Sequence, residues 1–253
     1  MEVHAHSHSH GKKTWKNYFW EFLMLFLAVF CGFLAENQRE HYVEHQREKQ
    51  FIKTLIHDLE NDTANFNRSI SIFKLNVERF DSLKTLVKNP QTHEEVLNAY
   101  KASTLPQSFS SFNYSDRTIE QLRSAGNFRL IRNSVVSDAV IEYDRYIRNT
   151  YIGAEKILSD QSIGLLEKQN EIFDYDLSNF FLSKNWRQRQ LITGDSLAQQ
   201  PKLLTANEQK LQQYYNSFGS WRNWCSRMAT HSNFAKKDAI RLIDLVKKEY
   251  HLK

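Results

Sequence analysis

YFWEFLMLFLAVFCGFLA, residues Tyr18 to Ala35, is the one stretch of this chain written for lipid rather than water, with a single charge, Glu21, near its start. A helix crossing a hydrocarbon layer of ~30 Å needs about 20 apolar residues. The 18 residues here, with Trp15 and Lys16 as interfacial anchors, meet that requirement, and 15–35 reads as one transmembrane helix. Two other readings compete, a buried core helix and a cleaved signal peptide. Cleavage needs an A-x-A-like run of small residues, and the chain offers Phe33-Leu34-Ala35. A lipoprotein would carry a small residue before Cys31, where Phe30 stands. The span is therefore expected to remain as an anchor.

Within the span, Glu21 lies about one turn from its start. A charge in lipid is costly and marks function by default, although near a helix end it can also snorkel or protonate. Ala28 and Gly32 form a small-xxx-small pair that lets two spans pack closely, weak support for a homodimer. Lys12, Lys13 and Lys16 precede the span, whereas Glu36, Arg39 and Glu40 follow it. The positive-inside rule then puts the N-terminus in the cytoplasm and the main domain outside, periplasmic or extracellular, with a single pass through the cytoplasmic membrane.

Outward from the span the chain is helical by pattern. Residues 1–14 are polar and low in complexity and are expected to be disordered. Residues 36–50 (ENQREHYVEHQREKQ) keep helix-forming residues with almost no apolar face, a charged helical stalk in which Glu36 and Arg39 can pair. From Ile52 the apolar positions take helical spacing: Ile52, Leu55, Leu59, Phe66, Ile70, Phe73, Val77, Phe80, Leu83 and Val87. Asn89-Pro90 ends that helix. A second stripe runs through Val136, Val140, Tyr143, Ile147, Tyr151, Ala154, Leu158, Leu165 and Ile172, where Gly153 and Gly164 mark points of weakness. The third, from Leu211 through Tyr214, Phe218, Trp221, Cys225, Met228, Ser232, Ala235, Ala239 and Leu242 to Val246, alternates threes and fours without a fault.

Long helices are thus expected at 51–87, 134–173 and 206–250, with short ones at 92–102 and 116–125. Thr92 with Glu95, and Thr205 with Glu208, have capping-box spacing. Gly126 suits the left-handed turn after a helix. Only seven Gly and three Pro leave few breaks. The fold class is all-α: one N-terminal transmembrane helix continuing into an elongated antiparallel helical bundle over 51–253, in which each helix buries one face.

The two cysteines, Cys31 and Cys225, are too differently placed to pair. The net charge of +5 is spread among both signs without a dense basic block, which argues against nucleic acid. His4, His6, His8 and His10 could share a Zn, Ni or Cu ion, the alternatives being a tag or a merely hydrophilic tail. In 177–189 (LSNFFLSKNWRQR), Phe180, Phe181, Trp186 and Arg187 suit a lipid interface, provided that the second long helix returns towards the membrane; a cap on the bundle core is the equal alternative. His41 and His45 are four apart on a polar stalk without a third ligand, and His57, His93 and His231 join no constellation. The chain contains no G-x-S-x-G, H-E-x-x-H, P-loop, C-x-x-C or dinucleotide fingerprint.

The run HSHGKKTWKNYFWEFLMLFLAVFCGFLAENQREHYVEHQREKQFIKTLIHDLEND, together with IEQLRSAGNFRLIRN, resembles a family of uncharacterised bacterial single-span membrane proteins with a His-rich tail and a helical extracytoplasmic domain. The resemblance covers the first quarter well and the middle loosely. It implies an anchored helical domain and a native His tail, and it brings no assigned reaction. The expected function is a non-enzymatic scaffold or sensor-like domain that binds a protein partner, a ligand or a second copy outside the cytoplasm. Metal handling by the tail, and a membrane-anchored hydrolase working from the Ser-rich 103–115 loop or Glu21, are the alternatives.

Overall fold

The computed structural model describes residues 15–88, 90–107, 111–124 and 126–252. The described chain is all-α, and two compact units meet between Ile52 and Lys53. One helix, α1 (Trp15–Lys88), carries the anchor sequence. Its best 18-residue window has a mean hydropathy of 2.0 and none of it is buried, so the helix is long and apolar enough to span a membrane. Phe22, Phe26 and Phe30 stack ring on ring at 6.2 and 5.9 Å, forming a ridge of residues four apart. Helix periodicity puts Glu21, Ala28 and Gly32 together on the other side. Past the span, Arg39 pairs with Glu36 at 2.5 Å on the exposed surface.

In the second unit, α1 buries Leu55, Leu59, Phe66, Phe73 and Phe80 along the face that their spacing defines. It stops at Lys88, ahead of Pro90, which has no N–H for a helical bond. Helix α2 (His93–Ser103) starts in a full capping box, with the Glu95 N–H donating to Thr92 Oγ1 and the Thr92 N–H to Glu95 Oε2. Helix α3 (Arg117–Ser124) is followed by Gly126 at φ +61, the left-handed turn expected there. Helices α4 (Ser134–Arg145) and α5 (Ile152–Asn170) join through a π-helical turn at Tyr146–Tyr151. The irregularity sits a turn before Gly153. Its trace in the sequence is two successive steps of four, Tyr143 to Ile147 to Tyr151, which suit the wider turn.

Two short helices, α6 (Tyr175–Leu182) and α7 (Trp186–Leu191), occupy the stretch whose pattern is irregular in sequence. Each has an Asx N-cap, Asp174 and Asn185. The last helix, α8 (Glu208–Glu249), begins at Asn207, whose Oδ1 accepts from the Lys210 N–H at 3.0 Å. Thr205 is therefore not the cap; it lies two residues ahead of it, and its Oγ1 accepts from the Asn207 N–H. All eleven stripe residues of α8 are buried.

The direction of the second long helix differs from the up-and-down expectation. Asp62 meets Tyr143 and Phe66 meets Tyr151, so α4–α5 runs parallel to α1. Helix α8 returns antiparallel to both, pairing Tyr146 with His231, Ser162 with Trp221, and Asp81 with Arg222. Residues 89–133 are thus a crossover. The core along these helices is aromatic: Phe80 packs edge-on to Phe218 at 4.7 Å, Phe218 lies 5.5 Å from Trp221, and Tyr100 and Tyr214 both flank Phe173. Where α8 carries Ser232, Ala235 and Ala239, small side chains let α4–α5 come close, and the Tyr151 hydroxyl bonds Ser232 Oγ at 2.9 Å.

Phe218→Ala removes a ring held by three others and is expected to destabilise the unit by about 3–5 kcal/mol, read from denaturant midpoints. Gly126→Ala forces a Cβ into left-handed backbone and is expected to cost about 1–2 kcal/mol.

Candidate functional site

The crossover comes back along α1 as an irregular segment, and irregular backbone carries N–H groups that need acceptors once buried. Carboxylates supply them. The Thr118 N–H and hydroxyl donate to Asp58 Oδ2, the Ser115 N–H to Asp62 Oδ1 at 2.8 Å, and the Phe112 N–H to Glu155 Oε1 at 2.7 Å. Asn65 Nδ2 adds a bond to the Asn113 carbonyl, and the Phe112 ring stacks on Phe66 at 4.3 Å. The segment 112–118 is therefore pinned antiparallel to α1, rung by rung, from Phe66 down to Asp58. Because Thr118 is the second residue of α3, Asp58 also places a negative charge at that helix's N-terminus, where the dipole favours it.

A second layer lies over this seam. Asp144, buried on α4, accepts from the Tyr114 hydroxyl at 2.9 Å, from Arg148 Nε at 2.8 Å and from Arg123 Nη2. Arg148, in the π turn, also reaches Asp116 at 2.8 Å and Glu120 at 2.6 Å, and its guanidinium stands 5.3 Å over the Tyr114 ring. One side chain thus joins α4, α3 and the pinned segment. Tyr143 donates to Asp62 Oδ2 at 2.8 Å. Burial, joined by the Asp62 charge, holds the Tyr143 hydroxyl well above its usual range, and burial with the Asp144 charge does the same for Tyr114. Burial also pushes Asp62 up to about 6, against the bonds from Ser115 and Tyr143 that pull it down, and lifts Glu155. These acids and phenols are taken up in positioning the chain.

Beside this seam, α4, the π turn and α8 enclose a surface groove of about 580 Å3. Tyr146 and Phe234, rings 5.0 Å apart, line it together with the paired charges Glu142–Arg145 and Asp238–Arg241. Phe234 is 48% exposed although it follows the inward positions of α8 by only two residues. A larger open hollow of about 1040 Å3 lies between α6 and residues 196–204, walled by Asp174, Asp176, Phe180 and Lys202.

The residues singled out from the sequence are placed differently. His4, His6, His8 and His10 lie outside the described residues; among those that are described, no three His, Cys, Asp or Glu side chains gather as a metal site. Trp15, Lys16, Glu21, Ala28 and Gly32 are all exposed on α1. The segment 177–189 does not share one fate. Phe181 is fully buried, its ring stacked against Tyr100, because α6 turns Ser178 and Phe181 inward and Phe180 outward. Arg187 is exposed, while Trp186 lies partly buried beneath Arg79. The interface expectation was tied to a second long helix returning against α1; α4–α5 instead runs parallel to it, and the segment packs near the C-terminal end of α1.

Sequence reasoning missed Asp58, Asp62, Asp144 and Glu155. A signal was present, since Asp58 and Asp62 fall at three- and four-residue steps among Leu55, Leu59 and Phe66, on the face that must be buried. No protein-family model, curated protein or solved structure matches this chain.

Asp62 carries a folded-state value raised above that of the unfolded chain, so the folded state holds the proton more tightly. Stability is accordingly expected to fall as pH rises from about 4 to 6, by on the order of 2 kcal/mol, Glu155 acting in the same direction. Asp62→Asn should flatten that profile in pH-dependent denaturant unfolding. Arg148→Met strips Asp144 of one partner and is expected to destabilise by about 3 kcal/mol, with faster hydrogen exchange over 111–124.

Proposed function

We propose that this chain is a single-pass protein of the cytoplasmic membrane, N-terminus inside, whose helical unit 53–253 works outside as a non-enzymatic module that binds a protein partner. The likeness to uncharacterised single-span bacterial proteins with helical extracytoplasmic domains, read from residues 8–62 and 119–133, agrees with it. The groove of α4, the π turn and α8 is the observation that carries the binding reading. Its lining has the composition of a protein interface: a partly exposed aromatic pair, Tyr146 and Phe234, beside charges already paired within the chain. Charges of this kind steer and select more than they hold, and the aromatic pair supplies the contact area. The π turn supports the same reading, since such turns gather at functional sites. Buried acids whose oxygens accept from the chain's own N–H and O–H groups favour a positioning role over proton transfer.

Two measurements check this. A phosphatase fused at Lys253 is expected to be active, as an enzyme that matures only outside the cytoplasm; inactivity reverses the orientation. A photo-crosslinking residue at Arg241 is expected to give a discrete adduct in native membranes, whereas one at Ser71 gives none. Absence of an adduct at Arg241, or an identical one at Ser71, removes the groove from the binding reading.

A further inference from the structure

Near the C-terminal end of α1, away from the groove, two cations come together without an anion. Arg79 lies over the Trp186 ring, its guanidinium carbon 4.3 Å from the ring centroid. Its Nε is shut off from solvent without a hydrogen-bond acceptor, and its side chain donates to no other group of the described chain. Arg189, one turn beyond Trp186 on α7, is only 7% exposed. Its guanidinium meets neutral oxygens alone: Nε donates to the Phe181 carbonyl at 2.7 Å, Nη1 to Thr104 Oγ1 at 2.5 Å and Nη2 to the Leu182 carbonyl at 3.4 Å. Among the described residues no carboxylate lies within ion-pair distance of either guanidinium, although the chain pairs Arg39, Arg123, Arg145, Arg148, Arg222 and Arg241. One turn before Arg79, the amide nitrogen of the buried Asn76 also lacks an acceptor.

Burial, and after it the Arg79 charge, hold Arg189 below its usual range, and burial holds Arg79 below its own. The local deficit is one of negative charge and of acceptors together. A guanidinium carries five N–H donors, so Arg189 keeps about two unused after its three bonds, and Arg79 keeps its full set. A carboxylate supplies one charge and engages one fork. A phosphate group supplies up to two charges and three or more oxygens, and the planar guanidinium matches it bidentately. Trp186 holds the Arg79 plane by cation–π stacking and so orients its outer edge before any ligand arrives.

We propose that Arg79, Trp186 and Arg189 form a binding site for a phosphate group, either of a free phosphate compound or of a lipid headgroup. The site is independent of the groove reading and rests on other residues.

The test uses the full chain, first in detergent micelles with sodium phosphate against sodium chloride at equal ionic strength, then in nanodiscs of phosphatidylcholine with and without phosphatidic acid. The thermal midpoint of wild type is expected to rise saturably with inorganic phosphate or with phosphatidic acid. Inorganic phosphate acting in micelles assigns a free compound, and phosphatidic acid acting alone assigns a headgroup. Arg79→Gln deletes no hydrogen bond within the chain and loses only the stacking on Trp186, so it should fold and respond to the active phosphate at least about tenfold more weakly. Trp186→Leu, which frees the Arg79 plane, should weaken the response less. A wild type that does not distinguish phosphate from chloride in micelles or acidic from neutral discs, or an Arg79→Gln protein that responds as wild type does, overturns the proposal.

Discussion

The structure depends on how an irregular segment can be buried. Residues 112–116 lie against α1 outside any helix or strand, and the N–H groups of Phe112, Ser115 and, at the start of α3, Thr118 find acceptors in the side chains of Glu155, Asp62 and Asp58. A buried N–H without a partner costs roughly 1–3 kcal/mol, so three apolar side chains in these places would leave the segment no stable seat. Charged acceptors make stronger bonds than neutral ones, and those bonds recover part of the desolvation cost that still lifts Asp62 and Glu155 above the usual carboxylate range.

The helix order follows from this seam. With 89–133 brought back along α1, α4 starts beside the early part of the second unit's α1 and runs in the same direction, and α8 alone returns antiparallel. Arg148 closes the arrangement, since Asp144 on α4 and the Asp116–Glu120 turn at the start of α3 are distant in sequence and meet only when the segment is in place. Buried ion pairs of this kind add little net stability over well-packed apolar groups, but breaking one is expensive. They select one arrangement of the helices among those that the apolar stripes alone would allow.

The parallel course of α4–α5 also decides what meets what at the far end. It carries α6 and α7 to the end of α1, where Arg79 rests on Trp186 beside Arg189. Had the second long helix returned, these cations would have been separated by most of the length of α1. The groove likewise lies where the π turn and α8 bring Tyr146 and Phe234 together.

The sequence by itself determined the helices and their inward faces. Leu55, Phe66, Val140, Tyr151, Phe218 and Trp221 are buried where their spacing puts them, because helical periodicity is a local property and burial of one face follows from it. The anchor stretch, the stop at Pro90 and the turn at Gly126 were legible for the same reason: each rests on a few adjacent residues. Helix direction, the pairing of Asp58, Asp62 and Asp144 with residues 21 to 81 positions away, and the meeting of Arg79 with Arg189 were not. Periodicity says which side of a helix faces inward and is silent on which way its neighbour runs. Only the tertiary structure decided that, by giving buried N–H groups and buried charges the partners that water no longer supplies.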